Sequence, residues 1–227
     1  RNDRIAWGSS MIACNDADAM VTGNIRHYAA SIEKLKKVVD ARPGEEIFGM
    51  TMLVSKGKTI LIADTNVKDF PSAERLVNVS ISCVRVAKLF GFDPKVAFLS
   101  HSTFGKPVSK NTKHVRDAIE LLKTKNVDFD FDGEMQPDVA LNPIYQEIYP
   151  FSKIVGKANI LIMPALHSAA ISTKLMKSFG GAKSIGPLLI GLGLPIEVAP
   201  LRSSTSDILN LASIAAYSSD VIDYKKN

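Results

Sequence analysis

Thiol, imidazole and aromatic groups are scarce in this chain. Of 227 residues two are cysteine, one is tryptophan, four are histidine and 7% are aromatic. Cys14 and Cys83 stand too far apart in sequence to suggest a disulfide framework or a metal-ligand pair. His27, His101, His114 and His167 are scattered without ligand spacing. No metal site is therefore expected. The longest apolar runs, 160–164 and 185–194, are short and broken by Gly and Pro, so no membrane span is expected. A basic start followed by an apolar signal core is also missing, which with the sparse cysteines points to the cytoplasm. Internal repeats and low-complexity segments are absent. So is a Gly-x-Ser-x-Gly elbow, and Gly191-Leu192-Gly193 lacks both the third Gly and the following helix of a dinucleotide fingerprint.

What remains is the composition of an ordinary globular protein, 46% hydrophobic and 22% charged, long enough for one large domain or two lobes. The formal charge of +5 comes from short lysine groups (Lys34, Lys36, Lys37; Lys123, Lys125) and from the tail. They lack the interleaved aromatics of a base-stacking platform, so no nucleic-acid partner is expected. A mild positive field suits a phosphate- or carboxylate-bearing metabolite.

Helical and strand periods alternate with little filler. Ile5, Gly8 and Ile12 share one side of a segment over 4–14, a short strand follows at 19–22, and Tyr28, Ile32, Leu35 and Val39 repeat at helical spacing. Pro43-Gly44 marks a candidate lobe boundary. Residues 47–63 read as a hairpin around Lys56-Gly57, which inside a helix–strand alternation predicts a mixed sheet. Pro71 is placed just inside a helix with the stripe Leu76, Val79, Cys83, Val86 and Phe90, closed by Gly91. Cys83 then reads as a small core residue rather than a reactive thiol. A buried strand at 96–99 precedes a helix capped by Ser109, with Val115, Ala118, Ile119 and Leu122 inward. Strict alternation over 127–131 sets Asp128 and Asp130 against Val127, Phe129 and Phe131. The last third gives a strand at 160–163, a helix carrying Ile171, Leu175 and Phe179, the Gly-Pro-rich stretch 185–195, a strand at 196–198 and a helix over 204–222.

Two constellations follow strand-like runs, where α/β sheets usually bind ligands. Ser100, His101, Ser102, Thr103, Gly105 and Lys106 offer hydroxyls, free amides and charge to an anion; equally, they cap a helix and make a turn. Asp132, Gly133 and Glu134 set two acids around a flexible Gly, with Asp138 and Asn142 after a Pro. Such acids orient a ligand, hold a cation or act as acid and base, or else form a solvated turn. Asp207, three residues after Ser204, is either a capping-box acid or a general base.

The ordered series Asp18-Ala19-Met20-Val21-Thr22-Gly23, Ala63-Asp64-Thr65, Lys95 to Ser102, Asp132-Gly133-Glu134-Met135, Gly156-Lys157-Ala158-Asn159, Met163-Pro164 and Ile185-Gly186-Pro187 resembles the phosphate acetyltransferase family. It is most similar to the C-terminal phosphate-acetyltransferase-like region of bacterial multidomain NADP-dependent malic enzymes. The resemblance implies an α/β protein with the two-lobed fold also seen in isocitrate and isopropylmalate dehydrogenases. It has a mixed sheet and a truncated first lobe: 1–41 and 196–227 form the partial first lobe, 42–195 the second, through which a homodimer is expected. Ser100 to Thr103, Gly105, Lys106, Asp132, Glu134, Asp138, Asn142, Pro164, Gly186 and Pro187 become the implied ligand contacts.

In the transferases a thiolate attacks an acetyl carbonyl, an Asp serves as base, and arginines and a serine neutralise phosphate and oxyanion. Asp207 falls on the base position. The family's Ser-Arg-Gly is here Leu201-Arg202-Ser203, and a family arginine position is occupied by Glu33, beside Lys34. The implied function is regulatory: acetyl-CoA binds as an allosteric inhibitor of a malic enzyme. The oxidative decarboxylation of malate to pyruvate, with NADP and divalent Mg or Mn, belongs to a region absent from this chain. The alternative is an active phosphate acetyltransferase using Asp207 and Arg202.

Overall fold

A computed structural model of the chain describes residues 3–64, 69–222 and 224. Thr65 of the Ala63-Asp64-Thr65 motif and the tail lysines Lys225 and Lys226 lie outside the described residues. Two compact units emerge, residues 1–50 with 185–227 and residues 51–184. The boundaries thus fall near 50 and 185 rather than at 41/42 and 195/196. Pro43-Gly44 is a turn inside the first unit, because Arg42 N donates to Gly191 O at 2.9 Å and Ala41 bridges Leu192.

In the first unit, helix α1 (Arg4–Ala13) is capped by the Asp3 carboxylate, which accepts from Ile5 N, and buries Ile5, Ser9 and Ile12. Strand β1 (Met20–Gly23) precedes helix α2 (Tyr28–Leu35), whose Ile32 and Leu35 are buried as the helical spacing predicts. Strand β2 (Phe48–Ser55) begins in this unit and continues into the other. Strand β7 (Lys183–Ile190) occupies the first half of the Gly-Pro-rich stretch 185–195, to which the sequence reading assigned no element. Its Leu188 and Leu189 are buried, and the small Gly186 permits close approach to the Met50 carbonyl. Strand β8 (Ile196–Ala199) pairs in parallel with β1, Gly23 opposite Ala199. Helix α7 (Thr205–Val221) closes the unit. Ile5, Ile32, Leu35, Leu192, Ile196 and Val198 form its core.

The second unit holds β3 (Lys58–Ala63), α3 (Ala73–Leu89), β4 (Lys95–Leu99), α4 (Lys113–Lys123), β5 (Asp130–Met135), α5 (Pro137–Leu141), β6 (Ile160–Ile162) and α6 (Leu166–Ser178). Sheet order is β5-β4-β6-β3-β2-β7, with β3, β6, β4 and β5 mutually parallel. Lys56 and Gly57 both take positive φ, 49° and 71°, the geometry of a tight two-residue hairpin, and so add the antiparallel strand that makes the sheet mixed.

Three local readings are corrected. Pro71 lies before the α3 cap, since the Ser72 hydroxyl accepts from Arg75 N. Ser109 caps a short 3-10 turn, Lys110–Thr112, ahead of α4. The alternation over 127–131 has the right faces, but the strand starts only at Asp130. The helix read at Ile171, Leu175 and Phe179 is present as α6, and these side chains, 64%, 61% and 91% exposed, form an outward face. Cys83 is fully buried and its thiol is pushed up to about 12 by desolvation, which makes it a core residue.

Glu197 on β8 is buried, and its Oε2 accepts from Leu189 N at 2.9 Å. Burial raises its pKa to about 8, opposed in part by that amide. Between the ordinary carboxylate range and pH 8 the folded chain therefore holds a proton that the unfolded chain has released. Its contribution to stability is fully present below pH 4.5 and is lost as pH rises through 8. Glu197→Gln should flatten the fall in melting temperature over this window; an unchanged pH profile in the variant counts against this assignment.

Candidate functional site

The two sequence constellations meet in the second unit, but as a buried network rather than an open loop. Asp132, Gly133 and Glu134 lie within β5, not in a turn, and Asp132 and Glu134 are buried. Gly133 takes φ +147° and a Cβ there would sit 2.6 Å from the Phe98 carbonyl, so only Gly lets β5 pass this close to β4. That pass delivers Glu134 beneath the 100–106 loop. Its Oε1 accepts from the Ser102 hydroxyl at 2.8 Å and from Arg116 Nη1 at 2.9 Å, while its carbonyl accepts from Phe104 N at 2.7 Å. With the Ser102 hydroxyl donating to Glu134, Ser100 Oγ, 3.0 Å away, donates to Ser102 in turn.

The loop amides read as free for an anion are largely engaged. Ser100 N donates to Met135 O, Ser102 N to Ser100 Oγ, Thr103 N to Lys106 O and Lys106 N to Thr103 O. Thr103 Oγ1 accepts from Gln136 N, and the His101 carbonyl from Gln136 Nε2. Gly105 takes φ 80° in the turn, and only His101 and Lys106 are exposed. Asp132 accepts from Gly133 N and Lys153 N. Asp138 is exposed in the first turn of α5, Asn142 Oδ1 accepts from Ile144 N, and the Pro164 carbonyl accepts from His114 Nε2. Gly186 and Pro187 lie in β7 of the first unit.

Arg116 is the residue that the sequence reading missed. Besides Glu134 it donates to Thr112 Oγ1 and to the Ser109 carbonyl, at 2.8 and 2.7 Å. Its visible signal was the Thr112, Arg116 spacing, which sets both on one helix face.

In the first unit a cleft of about 280 Å³ opens at the carboxyl ends of β1 and β8, lined by Arg4, Thr22, Gly23, Asn24, Arg26 and Ser31 among others. Gly23 has φ +105° and a side chain there would collide with the Ala199 carbonyl. Asn24 N donates to that carbonyl, and Asn24 O accepts from Arg202 N at 3.2 Å, so the loops after β1 and β8 are tied together. Asn24 Oδ1 and the fully buried Ser31 Oγ have no hydrogen-bond partner among the described residues. Two exposed guanidinium groups beside unpaired polar atoms suit an anionic ligand with donors of its own.

Arg202 is exposed, with φ 61°. Asp207 forms a capping box: its Oδ2 accepts from Ser204 N at 2.9 Å and from Ser204 Oγ at 2.8 Å, and Ser204 Oγ accepts from Asp207 N. Glu33 is exposed, paired with Lys37 at 3.1 Å, and is not among the residues that line this cleft.

Comparison with known proteins agrees with this architecture. The family model for phosphate acetyl/butaryl transferase matches residues 1–216, and the chain belongs to that family. The NADP-dependent malic enzyme of Rhizobium meliloti (strain 1021) is 44% identical over 215 residues, 95% of this chain and 28% of that protein. The NADP-dependent malic enzyme of Escherichia coli (strain K12) is 34% identical, over 92% of this chain and 28% of its own length. This chain therefore spans less than a third of the malic enzymes it matches. A phosphotransacetylase from Streptococcus pyogenes superposes with a TM-score of 0.88 at 31% identity, covering 95% of this chain and 67% of that one.

Arg116→Met should cost roughly 3 kcal/mol, because it strips a buried carboxylate of its cation. Adding Glu134→Gln should recover most of the loss. Guanidinium unfolding followed by circular dichroism measures both, and equal midpoints for wild type and Arg116→Met would rule out the anchoring role.

Proposed function

We infer that this chain is the phosphate-acetyltransferase-like region of an NADP-dependent malic enzyme and that it binds acetyl-CoA as an inhibitory signal without turning it over. The observation that carries the reading is the capping box at α7. The carboxylate on the family's base position is committed to the Ser204 amide and hydroxyl, hydrogen bonds that fix the helix start. A base so engaged is poorly placed to take a thiol proton. The strand-end cleft keeps what binding alone requires: Arg4 and Arg26 for the anionic oxygens of the ligand, and Asn24 and Ser31 for its polar groups. A ligand that binds one conformation better shifts the equilibrium by that difference, so inhibition needs no chemistry. Malate decarboxylation, with NADP and Mg or Mn, is assigned to the larger part of such a polypeptide.

Calorimetric titration of acetyl-CoA, with acetyl-phosphate formation assayed on the same sample, tests this. Binding without transfer is expected. Arg26→Ala should weaken affinity about tenfold, close to the loss of one charge-assisted contact, while Asp207→Asn should leave it within about threefold. Phosphate-dependent transfer that Asp207→Asn abolishes would instead make the chain a working transferase.

Self-association is the second element of the proposal. Ile171, Leu175, Met176 and Phe179 form an exposed apolar strip along and just past α6, and a second copy offering the same strip would cover it. Leu175→Asp with Phe179→Asp should convert a dimer to a monomer in sedimentation velocity. A wild type already monomeric at high concentration would refute it.

A further inference from the structure

Between α3 and the segment that leads from α4 into β5, the second unit carries a groove of about 610 Å³ that the acetyl-CoA reading does not use. One wall is a single helix face, since Ile81, Val84, Arg85, Lys88 and Leu89 recur three and four residues apart along α3. The other wall is residues 125–129. Val84 is buried, while Ile81, Leu89, Val127 and Phe129 are half-buried, so the floor is apolar and part of it still faces solvent. Phe129 stands beside Phe131 of β5, with ring centres 6.0 Å apart. The Lys88 ammonium donates to Asp128 at 2.6 Å and ties the two walls together.

The polar rim is not balanced. Lys88 and Asp128 answer one another, and no other carboxylate lines the groove. Where the chain leaves α4, the exposed Lys125 and Asn126 border it. Lys125 forms no ion pair among the described residues. An apolar floor beside one unanswered ammonium complements a ligand with an apolar body and a single negative charge. A small anion alone would gain only an exposed ion pair, which is worth little; a hydrocarbon tail laid on the floor supplies the larger contribution. The ten lining residues also fall short of the roughly 20–30 that a protein partner engages on each side.

We propose that this groove binds a free medium-chain aliphatic acid, its tail along Ile81, Val84, Leu89, Val127 and Phe129 and its carboxylate at Lys125 and Asn126. The head accepts from the lysine ammonium and from the asparagine side-chain amide, both donors. The groove belongs wholly to the second unit, whereas the strand-end cleft with Arg4 and Arg26 belongs to the first.

Calorimetric titrations of the whole chain with octanoate, hexanoate, octanamide and octylammonium, at constant ionic strength, test the site. Saturable one-to-one binding of octanoate is expected, about tenfold tighter than hexanoate because two further methylenes leave water. Octanamide and octylammonium share the tail but lack the negative charge, and should bind about fivefold more weakly or worse. Lys125→Glu alters only an exposed side chain and should weaken octanoate by at least about fivefold. Ile81→Gln should erase the advantage of octanoate over hexanoate, and Arg26→Ala should change neither. In methyl spectra the Ile81 and Val127 signals should move with octanoate, and those of Ile208 in the strand-end cleft should not. Equal binding of octylammonium, unaltered binding in Lys125→Glu, shifts centred on Ile208 or no saturable binding would each overturn the proposal. So would self-association of the chain that Ile81→Gln abolishes, since the groove would then be an interface between copies. Arg26→Ala and the Ile208 signals keep this outcome separate from that of the acetyl-CoA reading.

Discussion

One buried carboxylate organises the second unit. Glu134 is 1% exposed and accepts from a serine hydroxyl, a guanidinium and, through its carbonyl, a loop amide. An unpaired carboxylate at that depth would be costly, and pairing with Arg116 offsets the desolvation. The consequence is geometric. The guanidinium must come from α4, the hydroxyl from the loop after β4 and the carboxylate from β5, so three elements distant in sequence are fixed by one charge. Gly133 makes this compatible with close strand packing, because any side chain there would hold β5 away from Phe98.

The first unit is organised differently. Its two parallel strands are joined at their carboxyl ends by backbone contacts, Asn24 to Ala199 and Arg202 to Asn24, so the loops there are tied by main chain and the exposed Arg4 and Arg26 are spared that role. Arginines released from structural work are suited to ligands. Asp207 is the reverse case, a polar side chain that is committed to the helix start.

Much of this was legible from sequence because periodicity and burial coincide in an α/β protein. The hairpin at Lys56-Gly57, the stripes of α3 and α4, and the strand at 96–99 follow from residue patterns alone. The failures share a cause. The acids of 132–134 read as a loop because strands rarely bury carboxylates, and residues 128–142 themselves carry no sign that Arg116 of α4 offsets the desolvation. Ile171, Leu175 and Phe179 gave a helix but not the direction of its apolar face, because spacing defines a face and not what it meets. The stretch 185–195 was given no element because Gly and Pro signal turns, yet Gly186 lies in β7 at a close strand approach. The Arg4 and Arg26 cleft was missed because its residues come from segments twenty positions apart that carry no shared motif.

The contrast between the two thiols gives the protein a built-in reporter. Cys14 is exposed and Cys83 is completely enclosed, with a thiol that stays protonated at neutral pH. A thiol reagent added to the native chain should therefore modify one cysteine promptly, and the second only as fast as the second unit opens. Alkylation kinetics at Cys83 thus count the openings of that unit, with no label attached, while Cys14 accepts a dye on the other.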